Sequence, residues 1–169
     1  MKKIIILLIL IFPMSTMACS LAINIFRPNF NMEAFSYDVP PVFEFSIVRI
    51  IRGQGPEPAE NGMQVSSSCD DIGFIEISIE SKDKHDPCEY GYYIYDKTGT
   101  APKGLIPRYP QKPMHYKGQC ILSLSWMDGA SWVQEVLDFE LQFEAVNNYL
   151  YKSDRSESLP VVWFGREDE

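Results

Sequence analysis

Apolar and polar residues alternate strictly at 139–147, FELQFEAVN, where Phe139, Leu141, Phe143 and Ala145 share one face and Glu140, Gln142 and Glu144 the other. A period of two belongs to a strand with one buried and one wetted face. The pattern recurs in IGFIEISIES, with Ile75, Ile77 and Ile79 set against Glu76, Ser78 and Glu80. EYGYYIYD places Tyr90, Tyr92 and Ile94 on one side and Tyr93 and Tyr95 on the other, and CILSLSW turns Leu122, Leu124 and Trp126 inward and Ser123 and Ser125 outward. In VFEFSIVRIIR, Phe43, Phe45 and Ile47 alternate before the phase slips to Val48 and Ile50, which predicts a β-bulge.

Between these runs lie loops rich in Gly, Pro, Asn, Asp and Ser. GLIPRYPQKPMHYKG carries three prolines and has room for only a short edge strand. DGASWVQEVLD shows helical spacing of Trp132, Val136 and Leu137 and predicts a loop with one helical turn. NNYLYKSDRSES reads as a polar connection to a last strand, LPVVWF, with Pro160 at its start. Six or seven antiparallel strands, each with one wetted face, must bury the other face against a second sheet. The predicted fold is an all-β sandwich.

The stretch FELQFEAVNNYLYKSDRSESLPVVWF resembles the last two strands of fibronectin type III domains. Phe139, Leu141, Phe143 and Ala145 match the inward residues of that family's sixth strand, and Pro160 to Trp163 its seventh. The resemblance implies an immunoglobulin-like antiparallel sandwich of about seven strands over residues 41–169.

The N-terminus has a different character. MKKIIILLILIFPMSTMACS has a basic start, an apolar run and small residues before Cys19, the pattern of a secretory signal peptide over residues 1–18. TMAC resembles the lipobox of bacterial lipoproteins, which implies lipidation of Cys19 and attachment to the envelope, at the outer membrane, by acyl chains alone. The alternative is a plain secreted or periplasmic chain. Residues 19–40 are expected to be a tether.

The formal charge is −8, and removal of Lys2 and Lys3 makes the balance more acidic still. Nucleic-acid binding needs a cationic patch to neutralise phosphates, and no run of Lys or Arg supplies one. An acidic body instead favours a basic partner through electrostatic steering.

Four cysteines in an exported chain point to disulfides. Cys88 and Cys120 each precede a strand that starts at the same end of the sandwich, so they are expected to pair. Cys69 then pairs with Cys19 or, if Cys19 carries lipid, stays free or exchanges with Cys88. No CxxC spacing suggests redox chemistry.

His85, in DKHDPC, matches no strong ligand spacing, His115 has no evident acid partner in sequence, and no metal or cofactor is expected. Neither GxSxG, HExxH nor a phosphate-cradling glycine loop occurs. The remaining candidates are aromatic. Tyr93 and Tyr95 on the wetted face, with Tyr109 and Tyr116 in the proline-rich crossing and Trp132 in the later loop, are the expected partner-binding residues. The expectation is thus a non-enzymatic envelope lipoprotein that binds a protein or supports an assembly. The alternatives are an inhibitor of a basic hydrolase and a carbohydrate-binding module.

Overall fold

The computed structural model describes residues 24–34, 37–54, 70–129 and 134–164. Its strands are β1 (Glu44–Ile51), β2 (Ile72–Glu80), β3 (Gly91–Asp96), β4 (Met114–Tyr116), β5 (Gln119–Met127), β6 (Leu137–Val146), β7 (Lys152–Arg155) and β8 (Leu159–Trp163). Every strand pairing is antiparallel. One sheet runs β1-β2-β5-β4. In the other, β3 lines one edge of β6, while β7 and β8 follow one another along its opposite edge. The eight strands therefore occupy seven positions in a two-layer β-sandwich.

The alternating residues meet between the layers. Ile75, Ile77 and Ile79 of β2 and Leu122, Leu124 and Trp126 of β5 pack with Tyr92 and Ile94 of β3 and with Phe139, Leu141, Phe143 and Ala145 of β6. Phe45 of β1 stacks on Phe143, their centroids 4.0 Å apart. Tyr92 is fully buried and satisfies its hydroxyl by donating to the Pro87 carbonyl at 2.7 Å. Cys88 and Cys120 form the expected disulfide, joining the residues before β3 to β5 and hence one sheet to the other.

The bulge in β1 falls where the phase slips, between Ile47 and Arg49. Val48 is the extra residue and faces solvent, so only Ile50 resumes the inward phase. A second departure is β7. The polar run KSDR was expected as a connection, because it has no apolar alternation to mark a strand. It is held instead by side chains: Ser153 Oγ accepts from the Ala145 N–H at 2.9 Å and Ser156 Oγ from the Phe143 N–H at 3.0 Å.

Two features depend on a glycine. Lys117 and Gly118 both have positive φ, 49° and 81°, forming the two-residue turn between β4 and β5. Gly73 lies under the Trp126 ring, and a Cβ there would approach ring carbons to 2.5 Å. Gly73→Ala must displace a buried indole and is expected to destabilise the fold by about 1–3 kcal/mol. Urea unfolding reads this directly, and an unchanged midpoint would show that the ring relocates freely.

The described part of residues 19–40, expected as a tether, is fixed to the sandwich. Phe26 is buried over Gly91, its N–H donates to the Pro110 carbonyl at 2.8 Å, and Asn147 donates through its side chain to the Asp38 carbonyl at 2.8 Å. At one end of the sandwich a buried ion pair joins the loops. Arg52 binds Asp128 through two bonds of 2.7 and 2.8 Å, and Asp128 also accepts from the Gly53 N–H and the Trp126 indole. The helical turn expected around Trp132 lies, in its centre, outside the described residues.

Candidate interaction surface

The outer face of the β3-β6-β7 layer is built by strand alternation. Because Tyr92 and Ile94 point into the core, Tyr93 and Tyr95 point outward, opposite Glu144 and Gln142 of β6. β7 completes the face from the far edge. Lys152 sets its ammonium 4.2 Å from the Tyr93 ring centroid, and the Arg155 guanidinium lies 3.9 Å from that of Tyr95. Both distances are those of cation–π contacts. The Tyr95 hydroxyl donates to Glu144, and Lys152 bonds the same carboxylate at 3.1 Å. Lys97 and Glu140 add an ion pair at 2.7 Å along the same sheet.

This network sets the protonation states. Burial works to raise the Glu144 carboxyl, but hydrogen bonds from Tyr95 and Lys152, with the charges of Lys152 and Arg155, outweigh it and hold the group below its ordinary value. Burial first, then the bond to Glu144, pushes the Tyr95 phenol up and keeps it a donor. A carboxyl depressed in the folded state contributes stability that is present above its unfolded pKa and lost as pH falls through the folded one. Glu144→Gln is therefore expected to lower stability at neutral pH and to flatten its decline in acid. Urea midpoints from pH 7 down to pH 3 test this, and parallel curves for the two proteins would rule it out.

The five aromatic residues expected to bind a partner do not form one patch. Tyr93 and Tyr95 share the face just described. Tyr116 pairs with Gln119 on the outer side of the opposite sheet, where Lys117 lies 5.1 Å from its ring centroid. Tyr109 is exposed in the crossing between sheets, and Trp132 lies outside the described residues, as do Cys19 and Cys69. Lys152 and Arg155 were missing from the sequence reading, and Glu144 entered it only as an outward residue of its strand. Their signal was present: two cations three residues apart in the polar run after β6.

The histidines also change standing. His115, without an evident acid partner in sequence, donates from Nε2 to the Asp86 carboxylate at 3.1 Å, because β4 brings it beside the loop before β3. Asp86, Cys88 and His115 form a three-residue cluster with metal-ligand chemistry, yet the Cys88 sulfur is committed to Cys120. The pair that remains, mostly exposed, offers two donors where a structural zinc site needs four. His85 bonds the Tyr90 hydroxyl through Nδ1 at 2.9 Å.

Comparison with protein-family models, with curated proteins and with solved structures gives no match. Among the described residues, no helix is long and apolar enough to cross a membrane.

Proposed function

We propose that the protein is a non-enzymatic binding module of the bacterial envelope. In this reading it is exported by its leader and anchored through lipid on Cys19, and it contacts a partner protein through the outer face of the β3-β6-β7 layer. The strand order supports an immunoglobulin-like sandwich: β1-β2-β5-β4 facing β3-β6-β7/β8 is the arrangement of constant-type immunoglobulin domains.

One observation carries the binding role. Tyr93 and Tyr95 are half-exposed, outward and held by Lys152 and Arg155. Rings immobilised before contact lose little freedom on binding, which is how tyrosine gives affinity at low entropic cost. The same geometry favours protein over carbohydrate, because the cations occupy ring faces on which a sugar would stack. The partner is expected to carry mixed charge here, with the acidic body adding a preference for basic surroundings.

The test is photo-cross-linking in the envelope of a bacterial host, with benzoylphenylalanine replacing Tyr93 or Tyr95. A discrete adduct of defined mass is expected from both positions, and none from Ser46 on the opposite sheet. Adducts identical from all three positions, or none from either tyrosine, would reject this face. Intact mass of the same material reports the anchor: an acylated chain beginning at Cys19 is expected, and an unacylated one would leave a soluble exported module.

A further inference from the structure

The β1-β2-β5-β4 sheet has an unfinished edge. β4 contains three residues and pairs only with Gln119, Cys120 and Ile121 of β5. Pro113 precedes it and has no N–H to extend the ladder. The chain then crosses to the other layer, where Gln111 exchanges both backbone hydrogen bonds with Tyr92 at 2.8 and 2.9 Å. Among the described residues, no strand pairs with the rest of β5 on that side.

The register shows which backbone groups face that space. A two-residue turn makes Tyr116 and Gln119 a hydrogen-bonded pair, and such pairs alternate along an antiparallel ladder. Ile121 is then bonded to β4, and Ser123, Ser125 and Met127 direct their N–H and C=O groups to the same side, beyond the end of β4. The alternation is confirmed at the strand's far end, where the Asp128 N–H turns the opposite way and donates to Asp71 at 2.8 Å. Among the described residues, Ser123, Ser125 and Met127 make no backbone bond on the open side.

A cleft of about 720 Å³ runs along this edge. Leu105, Ser123, Ser125 and Met127 line it beside β5, Phe74 lines it from β2 and Lys103 from the crossing, whereas Lys112, which also lines it, sets its ammonium 5.3 Å from the Phe26 ring centroid. Among the described residues its one acid, Glu76, is already held by Arg49 through two bonds of 2.7 Å. Lys103 is exposed and forms no ion pair with a described carboxylate. In a chain with a formal charge of −8 this is a locally cationic, apolar groove beside an unpaired strand.

We propose that the free edge of β5 is a strand-addition site for an extended, acidic segment of a partner protein. The segment's main chain pairs with Ser123, Ser125 and Met127, and its carboxylates meet Lys103. Main-chain pairing supplies affinity in such sites, and alternate side chains supply selectivity. Here one set of side chains lies on the Leu105 side and the other beside Ser123 and Ser125 on the outer face of the sheet. The site is independent of the tyrosine face, which belongs to the other sheet.

The probe is a fluorescein-labelled octapeptide alternating valine and glutamate, read by anisotropy against the full mature chain. Saturable binding is expected, weakened about tenfold or more by Lys103→Glu, and likewise by exchanging the peptide's glutamates for lysines. N-methylation of every second peptide residue, in the phase that faces β5, should abolish binding without touching the protein's own fold. The paired Tyr93→Ser and Tyr95→Ser variant should bind as the parent does. No saturation, indifference to N-methylation or to charge, or loss of binding in the tyrosine variant would overturn the proposal. So would a concentration-dependent dimer that excludes the peptide, because the edge would then belong to a second copy of this chain.

Discussion

Asp128→Ala is expected to cost about 3–5 kcal/mol of folding stability, the penalty for leaving a buried charge without its partner. The Asp128 and Arg52 side chains are only 3% and 8% exposed, so water cannot replace the lost carboxylate. The guanidinium would keep the Glu135 carbonyl at 2.9 Å, which neutralises nothing. Two further donors lose their acceptor as well, the Gly53 N–H at 2.8 Å and the Trp126 indole N–H at 3.1 Å. These groups sit at the end of β1, at the end of β5 and in the loop before β6. The carboxylate ties the end of β1 to the end of β5, and through it the Arg52 guanidinium is placed to hold the loop before β6. Arg52→Met should cost less, since Asp128 would still hold two donors. The double replacement Arg52→Met with Asp128→Leu should recover part of the single loss, because it removes both charges, but not the part owed to Gly53 and Trp126. Equilibrium urea unfolding of the three variants gives the comparison. A loss below about 1 kcal/mol for Asp128→Ala would place the pair among ordinary surface ion pairs.

That node was not legible in the sequence, and the reason is physical. Alternation reports which face of a strand is buried, so β2, β3, β5 and β6 could be read residue by residue. Asp128 and Arg52 lie at strand ends, where the period has stopped and a lone charge looks like any solvated loop residue. Only the pairing of β1 and β5 on either side of β2 brings positions 52 and 128 to one end of the sheet. β7 failed to show for a related reason: its serine hydroxyls fasten it to β6, and a run of Lys, Ser, Asp and Arg carries no apolar signature. At the candidate face, the outward aim of Tyr93 and Tyr95 followed from the pleat alone. Their cations did not, because the hairpin that carries Lys152 and Arg155 back along β6 has a register shift between Glu144 and Val146. The free edge of β5 was half visible. Three prolines announced a short β4, but only the register reveals that Ser123, Ser125 and Met127 face the gap it leaves.

Removing the Cys88–Cys120 bridge, by Cys88→Ala with Cys120→Ala, is expected to cost about 2–4 kcal/mol, mainly by freeing the unfolded chain. The two residues are 32 apart in sequence, so the bridge closes a loop long enough for this term to matter. It also joins the two sheets just before β3, beside the point where the Tyr92 hydroxyl grips Pro87. Reduction of the parent protein and the double alanine variant should give similar losses in urea, because both release the same loop. A loss below about 1 kcal/mol in both would mean that the unfolded chain is already confined near this point. A large loss confined to the alanine variant would instead identify packing of the buried sulfurs, 6% and 5% exposed at their residues, as the source. The consequence for binding follows from position. β3 begins three residues after Cys88 and carries Tyr93 and Tyr95, so loosening its anchorage should reduce cross-linking from those tyrosines under conditions where the domain is still folded. Peptide capture at β5 should respond differently, since Cys120 lies at the end of β5 already secured by β4, away from Ser123, Ser125 and Met127.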